Sequence, residues 1–196
     1  MKRSNLLNEK INFEDLVSKR LKLLHLSKIT PSILHSWSSK PEFFKYLEFK
    51  PFQNISDSKH YLQKLEKRSN GVNGYYWSIN LNDNTVIGNY GIMNINREIM
   101  IGELGYGIHP SFWGKNYFKE ATEIILEYLF CSLNFNKLWA KTHVENKGSI
   151  KGLTSCGFFK EKVLKKFYFD KKSNTKYDAI VYSINKVDYT HKKKFK

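Results

Sequence analysis

A short segment at the start of a predicted helix carries residues suited to binding a phosphate group. It lies in GYGIHPSFWGKNYFKEA, residues 105–121, where Gly114, Lys115 and Asn116 join a strand pattern to a helix pattern. Glycine lets the backbone approach a ligand, asparagine tolerates a left-handed conformation, and the first turn of a helix presents unpaired N–H groups. The segment matches neither GxxxxGK[ST] nor GxGxxG, so an anion site and a plain turn both remain open.

Three side chains near this segment have groups that can accept or donate protons. Glu103 lies on the predicted strand before the turn, His143 ends the next strand, and Ser149 begins a short helix. A carboxylate or an imidazole can take a proton from an amine, and a hydroxyl can protonate a leaving group. Each also has a structural alternative: a carboxylate that ties two strands together, a histidine at a strand end, and a serine that caps a helix.

Two glycines interrupt the strand that carries Glu103. Gly105 and Gly107 would weaken that strand, and one common reason is a β-bulge or the close approach of a ligand. We therefore expect a bulge here and a cleft beside it, which Glu103, His143 and Ser149 would face together. A ligand with a pyrophosphate and an extended, amide-bearing arm would suit such a cleft.

The hydrophobic spacing predicts the elements that position these residues. Alternation with a period of two predicts strands, and apolar residues at helical spacing predict helices. The predicted strands are residues 20–26, 75–81, 85–93, 98–108, 137–144, 162–170 and 176–185, and the predicted helices are residues 30–39, 56–67, a segment of roughly 14 residues around 121–129, and 149–156. A helical connector between the fourth and fifth strands requires a parallel crossover, whereas the other strands form an antiparallel sheet.

Composition limits the classes of protein to be considered. The chain has 196 residues, 41% of them hydrophobic, which fits one domain with a sizeable core. We expect an N-terminal extension over residues 1–18, the domain over 19–187 and a basic, solvated tail over 188–196. No apolar run is long enough to span a membrane, which predicts a cytoplasmic protein. Cys131 and Cys156, without a CxxC pattern, predict reduced thiols and no metal site.

The basic charge favours an anionic partner without identifying it. The formal net charge is +15, but the only arginines are Arg3, Arg20, Arg68 and Arg97, which indicates a general drift towards lysine. No RNP, helix–turn–helix or zinc signature of a nucleic-acid-binding module accompanies the charge.

Three motifs in register resemble the GNAT superfamily of acyl-CoA-dependent N-acetyltransferases, and within it the ribosomal-protein-alanine acetyltransferase (RimJ/RimL-like) branch. That branch typically reads ERLxLR, then ELGYxIxPxxWGKGYAxEA, then NxxSxxxLxxxGF. The corresponding pieces here are residues 19–23, ELGYGIHPSFWGKNYFKEA at 103–121, and residues 146–158. The resemblance extends over about residues 19–185, nearly the whole chain.

The resemblance implies an α+β fold in which a mixed, mostly antiparallel twisted sheet of about seven strands has helices on both faces and a V-shaped opening between strands 4 and 5. It also implies acetyl-CoA as co-substrate and no metal. The pantetheine arm would lie against Tyr106, Gly107 and Ile108, with Asn146 on its other side. The pyrophosphate would bind the turn formed by Trp113, Gly114, Lys115, Asn116, Tyr117 and Phe118.

The resemblance further implies that Ser149 bonds the sulfur of acetyl-CoA and helps protonate the leaving thiolate. Glu103 and His143 are the candidates for taking the proton of the amine. The sequence departs from the family pattern at Asn116, usually glycine, and at Phe118, usually a small residue. The tyrosine that many superfamily members use as general acid is replaced by Leu153.

Several aromatic residues are also assigned by the resemblance or by their glycine neighbours. Trp37, Phe43, Phe44 and Tyr46 fall where this family shapes its acceptor pocket. We expect Trp113, Trp139 and Phe158 in the core, because large aromatic residues beside glycines usually pack there.

The predicted function is therefore that of an enzyme, an N-acetyltransferase that moves an acetyl group from acetyl-CoA directly to a primary amine. The acceptor remains open between the N-terminal amine of a protein and a small-molecule amine such as an amino sugar. An alternative, motivated by Asn116 and Phe118, is a non-catalytic acyl-CoA-binding or interaction domain of the same fold. We expect no membrane partner, nucleic acid met only indirectly through ribosomes, and a monomer or homodimer.

Overall fold

The computed structural model of the chain describes residues 10–48, 50–170 and 174–194. The strands are β1 Leu16–Val17, β2 Leu21–His25, β3 Gly74–Leu81, β4 Val86–Asn96, β5 Ile101–Ile108, β6 Lys137–His143, β7 Phe159–Asp170 and β8 Thr175–Asn185. The helices are α1 Pro31–Ser38, α2 Pro41–Phe44, α3 Ile55–Arg68, α4 Tyr117–Glu127, α5 Lys147–Ser155 and α6 Lys186–Lys194, and a π-helical segment, Tyr128–Ser132, continues α4.

The strands form one sheet in the order β1-β2-β3-β4-β5-β6-β8-β7. Only β5 and β6 pair in parallel; every other pair of neighbours in the described sheet is antiparallel. The predicted mixed, mostly antiparallel sheet is confirmed, with β1 as an additional strand. This short strand lies within the predicted N-terminal extension, of which residues 1–9 are outside the described part.

The sheet opens between β5 and β6. These strands pair only at their first residues, Ile101 with Lys137, Gly102 with Leu138 and Glu103 with Trp139. From residues 104 and 140 onward the described strands share no further ladder pairs. The predicted V-shaped opening is therefore present, bounded by residues 104–108 and 140–143, and we call it the β5–β6 opening.

The expected bulge at the glycines of β5 was wrong. Gly105 and Gly107 pair in regular register with β4, and the irregularity lies in β4 itself, between Met93 and Asn96. The glycines have a packing role, because a Cβ on Gly107 would lie 2.7 Å from the ring of Phe43. The strands separate where the β5–β6 pairing stops, without a bulge in β5.

Helices cover both faces of the sheet. Helices α4 and α5 pack on one face through buried residues such as Ala121, Ile125 and Leu153. Helices α1 and α3 cover the other face around Trp37 and Leu62. No helix in the described part of the chain is long and apolar enough to cross a membrane.

The end of the chain differs from the predicted solvated tail. Residues 186–194 form helix α6, and the ring of Tyr189 packs against that of Phe130 at 5.2 Å between centroids. The Tyr189 hydroxyl also donates to Glu127 Oε2 at 2.7 Å, so this tyrosine helps to dock a lysine-rich segment whose sequence has little amphipathic pattern. Residues 195 and 196 lie outside the described part.

Candidate active site

The predicted phosphate-binding segment is a tight turn between β5 and α4, which we call the 113–119 turn. Gly114 and Asn116 both have left-handed backbones, with φ of 75° and 63°. Asn116 precedes the first residue of α4 but makes no capping bond with its side chain. Asparagine at this position therefore provides the left-handed conformation that the family obtains from glycine.

Six of the seven main-chain N–H groups in this turn have no hydrogen-bond partner in the described part of the chain. Among the described residues, none accepts a hydrogen bond from the main-chain N–H of any residue from Gly114 to Lys119. A Cβ on Gly114 would meet nothing within 4 Å, so the space in front of the turn is open. Trp113 differs, because its N–H donates to the Pro110 carbonyl at 3.0 Å. The remaining donors, at the positive end of α4, suit an anion.

Arg20, which immediately precedes β2, holds this turn in place. Its Nε lies 2.6 Å from Glu120 Oε2, and its Nη1 donates to the Lys115 carbonyl at 3.2 Å. Its guanidinium also lies 4.6 Å from the centre of the Tyr117 ring. The sequence analysis did not predict this role. The available signal was that Arg20 is one of few arginines in a lysine-rich chain, because a planar guanidinium can satisfy several partners at once.

Phe118 does not fill the space in front of the turn. Its ring packs against Tyr106, 4.5 Å between centroids, and against Gly152 of α5, where a Cβ would lie 2.7 Å from the ring. The large residue on α4 is accommodated by the absence of a side chain on α5. Both departures that motivated a non-catalytic domain, Asn116 and Phe118, are therefore compatible with an open turn.

Ser149 and Asn146 lie at the start of α5, across the β5–β6 opening from Tyr106. The Asn146 Oδ1 accepts from the Ser149 main-chain N–H at 3.1 Å, so Asn146 is the cap of this helix. The Ser149 hydroxyl is instead hydrogen-bonded to the Tyr106 hydroxyl at 2.6 Å. The structural alternative for Ser149, helix capping, was wrong.

Glu103 lies on the opposite face of the sheet, at the point where β5 and β6 separate. Its side chain is largely buried, with 7% of the residue exposed. The carboxylate accepts from Asn94 Nδ2 at 2.7 Å and lies 3.3 Å from Lys141 Nζ. Asn94 belongs to the irregular part of β4, so Glu103 ties that irregularity to β5 and β6.

His143 lies at the open end of β6, on the same face as Glu103. It is 7% exposed, rather than the partly exposed strand-end residue considered from the sequence. Its ring is surrounded by those of Tyr46, Tyr168 and Tyr177, with centroids 5.4, 5.5 and 4.8 Å away. Burial lowers the pKa of His143, and its Nδ1 accepts from the Glu145 N–H at 3.1 Å. The imidazole is therefore neutral at pH 7, with its proton on Nε2.

A cavity of about 610 Å³ opens beside His143 on this face, and we call it the His143 cavity. Helix α2, the loop after it and strands β6, β7 and β8 contribute to its lining, with Tyr46, Tyr168 and Tyr177 as aromatic walls and with Glu48 and Glu145 as carboxylates. Burial and the nearby carboxylates of Glu48 and Glu103 raise the pKa of Tyr168 to about 12.

The aromatic residues of the cavity differ in part from those predicted. Of the four aromatic residues predicted for the acceptor pocket, Phe44 and Tyr46 line this cavity, whereas Trp37 is buried elsewhere and Phe43 covers the backbone of Gly107. Trp113 is half exposed, not a core residue, and its indole N–H donates to the Ile108 carbonyl at 2.7 Å. Trp139 is also only partly buried, whereas Phe158 lies in the core as predicted.

No group of three or more histidine, cysteine, aspartate or glutamate side chains in the described part of the chain is arranged to hold a metal ion.

The sequence profile of the acetyltransferase (GNAT) domain family matches residues 20–159. The chain is 32% identical over 177 residues to N-acetyltransferase p20 of Bacillus licheniformis, covering 90% of this chain and 98% of that one. It is 26% identical over 175 residues to N-acetyltransferase YoaA of Bacillus subtilis, covering 89% and 98%.

Solved structures share the fold. A GNAT-family acetyltransferase from Bacillus anthracis superimposes with a TM-score of 0.77 at 20% identity, covering 89% of this chain and 99% of that one. Spermidine N-acetyltransferase from Vibrio cholerae, solved with CoA and spermine, gives a TM-score of 0.75 at 21% identity, covering 88% and 99%.

Proposed function

Because this chain belongs to the acetyltransferase (GNAT) domain family and is an acetyl-transferring enzyme, we propose that it moves the acetyl group of acetyl-CoA directly to a primary amine. The observation that carries the proposal is the 113–119 turn, whose N–H groups from Gly114 to Lys119 are unpaired beside the β5–β6 opening. Unpaired main-chain donors at a helix N-terminus are a site for the pyrophosphate of a nucleotide.

The residues around the opening would hold acetyl-CoA as follows. The 113–119 turn binds the pyrophosphate, and Lys115 and Lys119 add positive charge. The β5 backbone at Tyr106, Gly107 and Ile108 pairs with the amides of the pantetheine arm, because β6 leaves that edge free. Asn146 bonds the arm from the other side through its Nδ2, since its Oδ1 already caps α5.

Proton transfer is divided between the two faces of the sheet. The amine enters through the His143 cavity and attacks the acetyl carbon, and the C–S bond breaks with its electron pair going to sulfur. Glu103 takes the proton that the amine loses, directly or through water. Ser149 donates a hydrogen bond to the thiolate and keeps its own proton; as CoA leaves, its sulfur takes one proton from solvent, and Glu103 releases the proton of the amine to solvent. Holding both reactants in the opening makes a covalent acyl-enzyme unnecessary.

The proton-accepting role falls to Glu103 rather than to His143. The Nδ1 lone pair of His143 is already occupied by the Glu145 N–H, and its Nε2 carries the proton. His143 can therefore donate a hydrogen bond to the acceptor molecule from the floor of the cavity. Lys141 and Asn94 hold the Glu103 carboxylate in position at the base of the opening.

The acceptor is either a protein N-terminus, as the ribosomal-protein-alanine branch implies, or a small-molecule amine such as an amino sugar. The His143 cavity has room for both, at about 610 Å³, and combines aromatic walls with Glu48, Glu145, Lys45 and Lys50. Tyrosine faces suit a sugar ring, a peptide or a cationic amine, so the lining favours none of these alone.

The test is a thiol-release assay with acetyl-CoA against peptides, amino sugars and polyamines. Ser149→Ala and Glu103→Gln should each lower kcat by at least roughly tenfold on the preferred amine. Ser155→Ala is the matched control, because Ser155 is exposed on the same helix and its hydroxyl bonds only its own helix and its neighbour Cys156. Full activity in both site variants would contradict their roles. Tight CoA binding with no thiol release on any amine would indicate a non-catalytic domain.

A further inference from the structure

Tyr106 reaches across from β5 to the start of α5 and meets the Ser149 hydroxyl. The two oxygens are 2.6 Å apart, although the residues are 43 positions apart in the chain. Tyr106 lies where β5 has left β6, so its side chain borders the β5–β6 opening. This bond connects a strand that lines the opening to the serine proposed to act on the sulfur.

The position of the Tyr106 ring is fixed by its neighbours. Phe118 packs on it at 4.5 Å and Tyr90 at 5.5 Å between ring centroids. The absence of a side chain at Gly152 leaves room for Phe118, which in turn supports Tyr106. Tyr90 has a different hydrogen-bond partner, the Thr122 hydroxyl at 3.2 Å. The phenol of Tyr106 is therefore held against Ser149 by the packing of α4 and α5.

The hydrogen-bond pattern indicates which hydroxyl of the Tyr106–Ser149 pair is the donor. If Ser149 donated to Tyr106, the phenol proton would have no acceptor among the described residues, and the serine proton would be used in that bond. If Tyr106 donates, its proton is satisfied and the serine proton is free for another acceptor. Burial raises the pKa of Tyr106, so the phenol keeps its proton and remains a donor. The second arrangement is the one that satisfies both hydroxyls when a thiolate is present.

We propose that Tyr106 is a positioning residue that donates to Ser149 and so directs the Ser149 hydroxyl proton to the sulfur of the leaving CoA. This inference rests on the proposed function and adds a residue to it. Tyr106 neither loses its proton nor touches the sulfur; it acts through Ser149. The sulfur receives its hydrogen bond from a hydroxyl that is itself polarised by a second hydroxyl, which strengthens the bond.

A double-mutant cycle with Tyr106→Phe and Ser149→Ala tests this role. Tyr106→Phe keeps the ring and should lower kcat by roughly three- to tenfold, the effect of one hydrogen bond, with KM for acetyl-CoA changed less than twofold. The double variant should be no slower than Ser149→Ala alone, because the phenol has nothing left to position. Tyr90→Phe is the control, since it removes a neighbouring buried phenol that bonds elsewhere, and should leave kcat unchanged.

Four outcomes would overturn the inference. Losses that multiply in the double variant would mean that Tyr106 acts without Ser149. A fall in thermal stability or a rise in KM with kcat retained would make Tyr106 a packing residue only. An unchanged kcat in Ser149→Ala would contradict both the proposed role of the serine and this inference. A lowered kcat in Ser149→Ala together with a wild-type kcat in Tyr106→Phe would contradict this inference alone.

Discussion

The left-handed backbone at Gly114 gives a direct way to disturb the 113–119 turn without touching any side chain. Gly114 has a φ of 75°, and a Cβ built there would meet nothing within 4 Å. Gly114→Ala therefore introduces no steric contact. Its only cost is that an L-residue must hold a left-handed conformation, which amounts to about 1 kcal/mol.

The free protein can avoid this cost by letting residue 114 relax, because neither the N–H nor the carbonyl of Gly114 has a hydrogen-bond partner in the described part of the chain. Relaxation rotates the N–H groups of the turn away from the proposed pyrophosphate position. Binding of CoA must then restore their orientation. The strain appears as weaker binding, so the dissociation constant for CoA should rise by roughly five- to tenfold. The melting temperature should change little.

Calorimetric titration with CoA and a thermal melt measure the two quantities. Gly157→Ala is the matched control, because Gly157 also has a positive φ, 94°, and follows α5 rather than the turn. The control should lose stability and keep its CoA affinity. Equal CoA affinity in the wild-type protein and in Gly114→Ala would refute the assignment of the turn as the pyrophosphate site.

Three further predictions concern the supporting residues. Asn146→Ala removes the cap of α5 and should lower the free energy of unfolding in urea by about 1 kcal/mol, whereas an unchanged urea midpoint would contradict the cap. Arg20→Met removes a partly exposed ion pair and the bond to Lys115, so it should cost about 0.5–1 kcal/mol in the same assay, and Arg20→Lys should not restore it. Because burial lowers the pKa of His143, its contribution to stability is complete above pH 6.5 and is lost as the pH falls through the folded-state pKa. Lowering the pH from 7.5 to 5.5 should therefore decrease the melting temperature of the wild type by more than that of His143→Gln. Equal decreases in the two proteins would contradict this reasoning.

The parts of the fold that follow from local patterns were predictable. Period-two alternation gave the long strands, and Thr30 before Pro31 marked the start of α1, whose cap is the Thr30 side chain. Strand β1 has two residues, too few to show a period. The irregularity in β4 contains Asn94, which has a left-handed backbone although it is not a glycine. Because the prediction relied on glycines, it placed the bulge in β5, which was the wrong strand.

The candidate site also has one part that local sequence patterns predict and another part that they do not. The 113–119 turn is contiguous in sequence, and its glycine, asparagine and lysines identify it. The bond between Tyr106 and Ser149 and the tyrosines around His143 join residues from distant strands and helices. Such contacts depend on how β5 and β6 separate and on which face each strand residue occupies, and no spacing within one element contains that information.

The most direct test of the account is a crystal structure of this chain with CoA. The pyrophosphate oxygens should accept hydrogen bonds from the main-chain N–H groups between Gly114 and Lys119, with the pantetheine arm in the β5–β6 opening. A structure in which saturating CoA binds with its pyrophosphate elsewhere, and the N–H groups of the turn contact only solvent, would contradict the account.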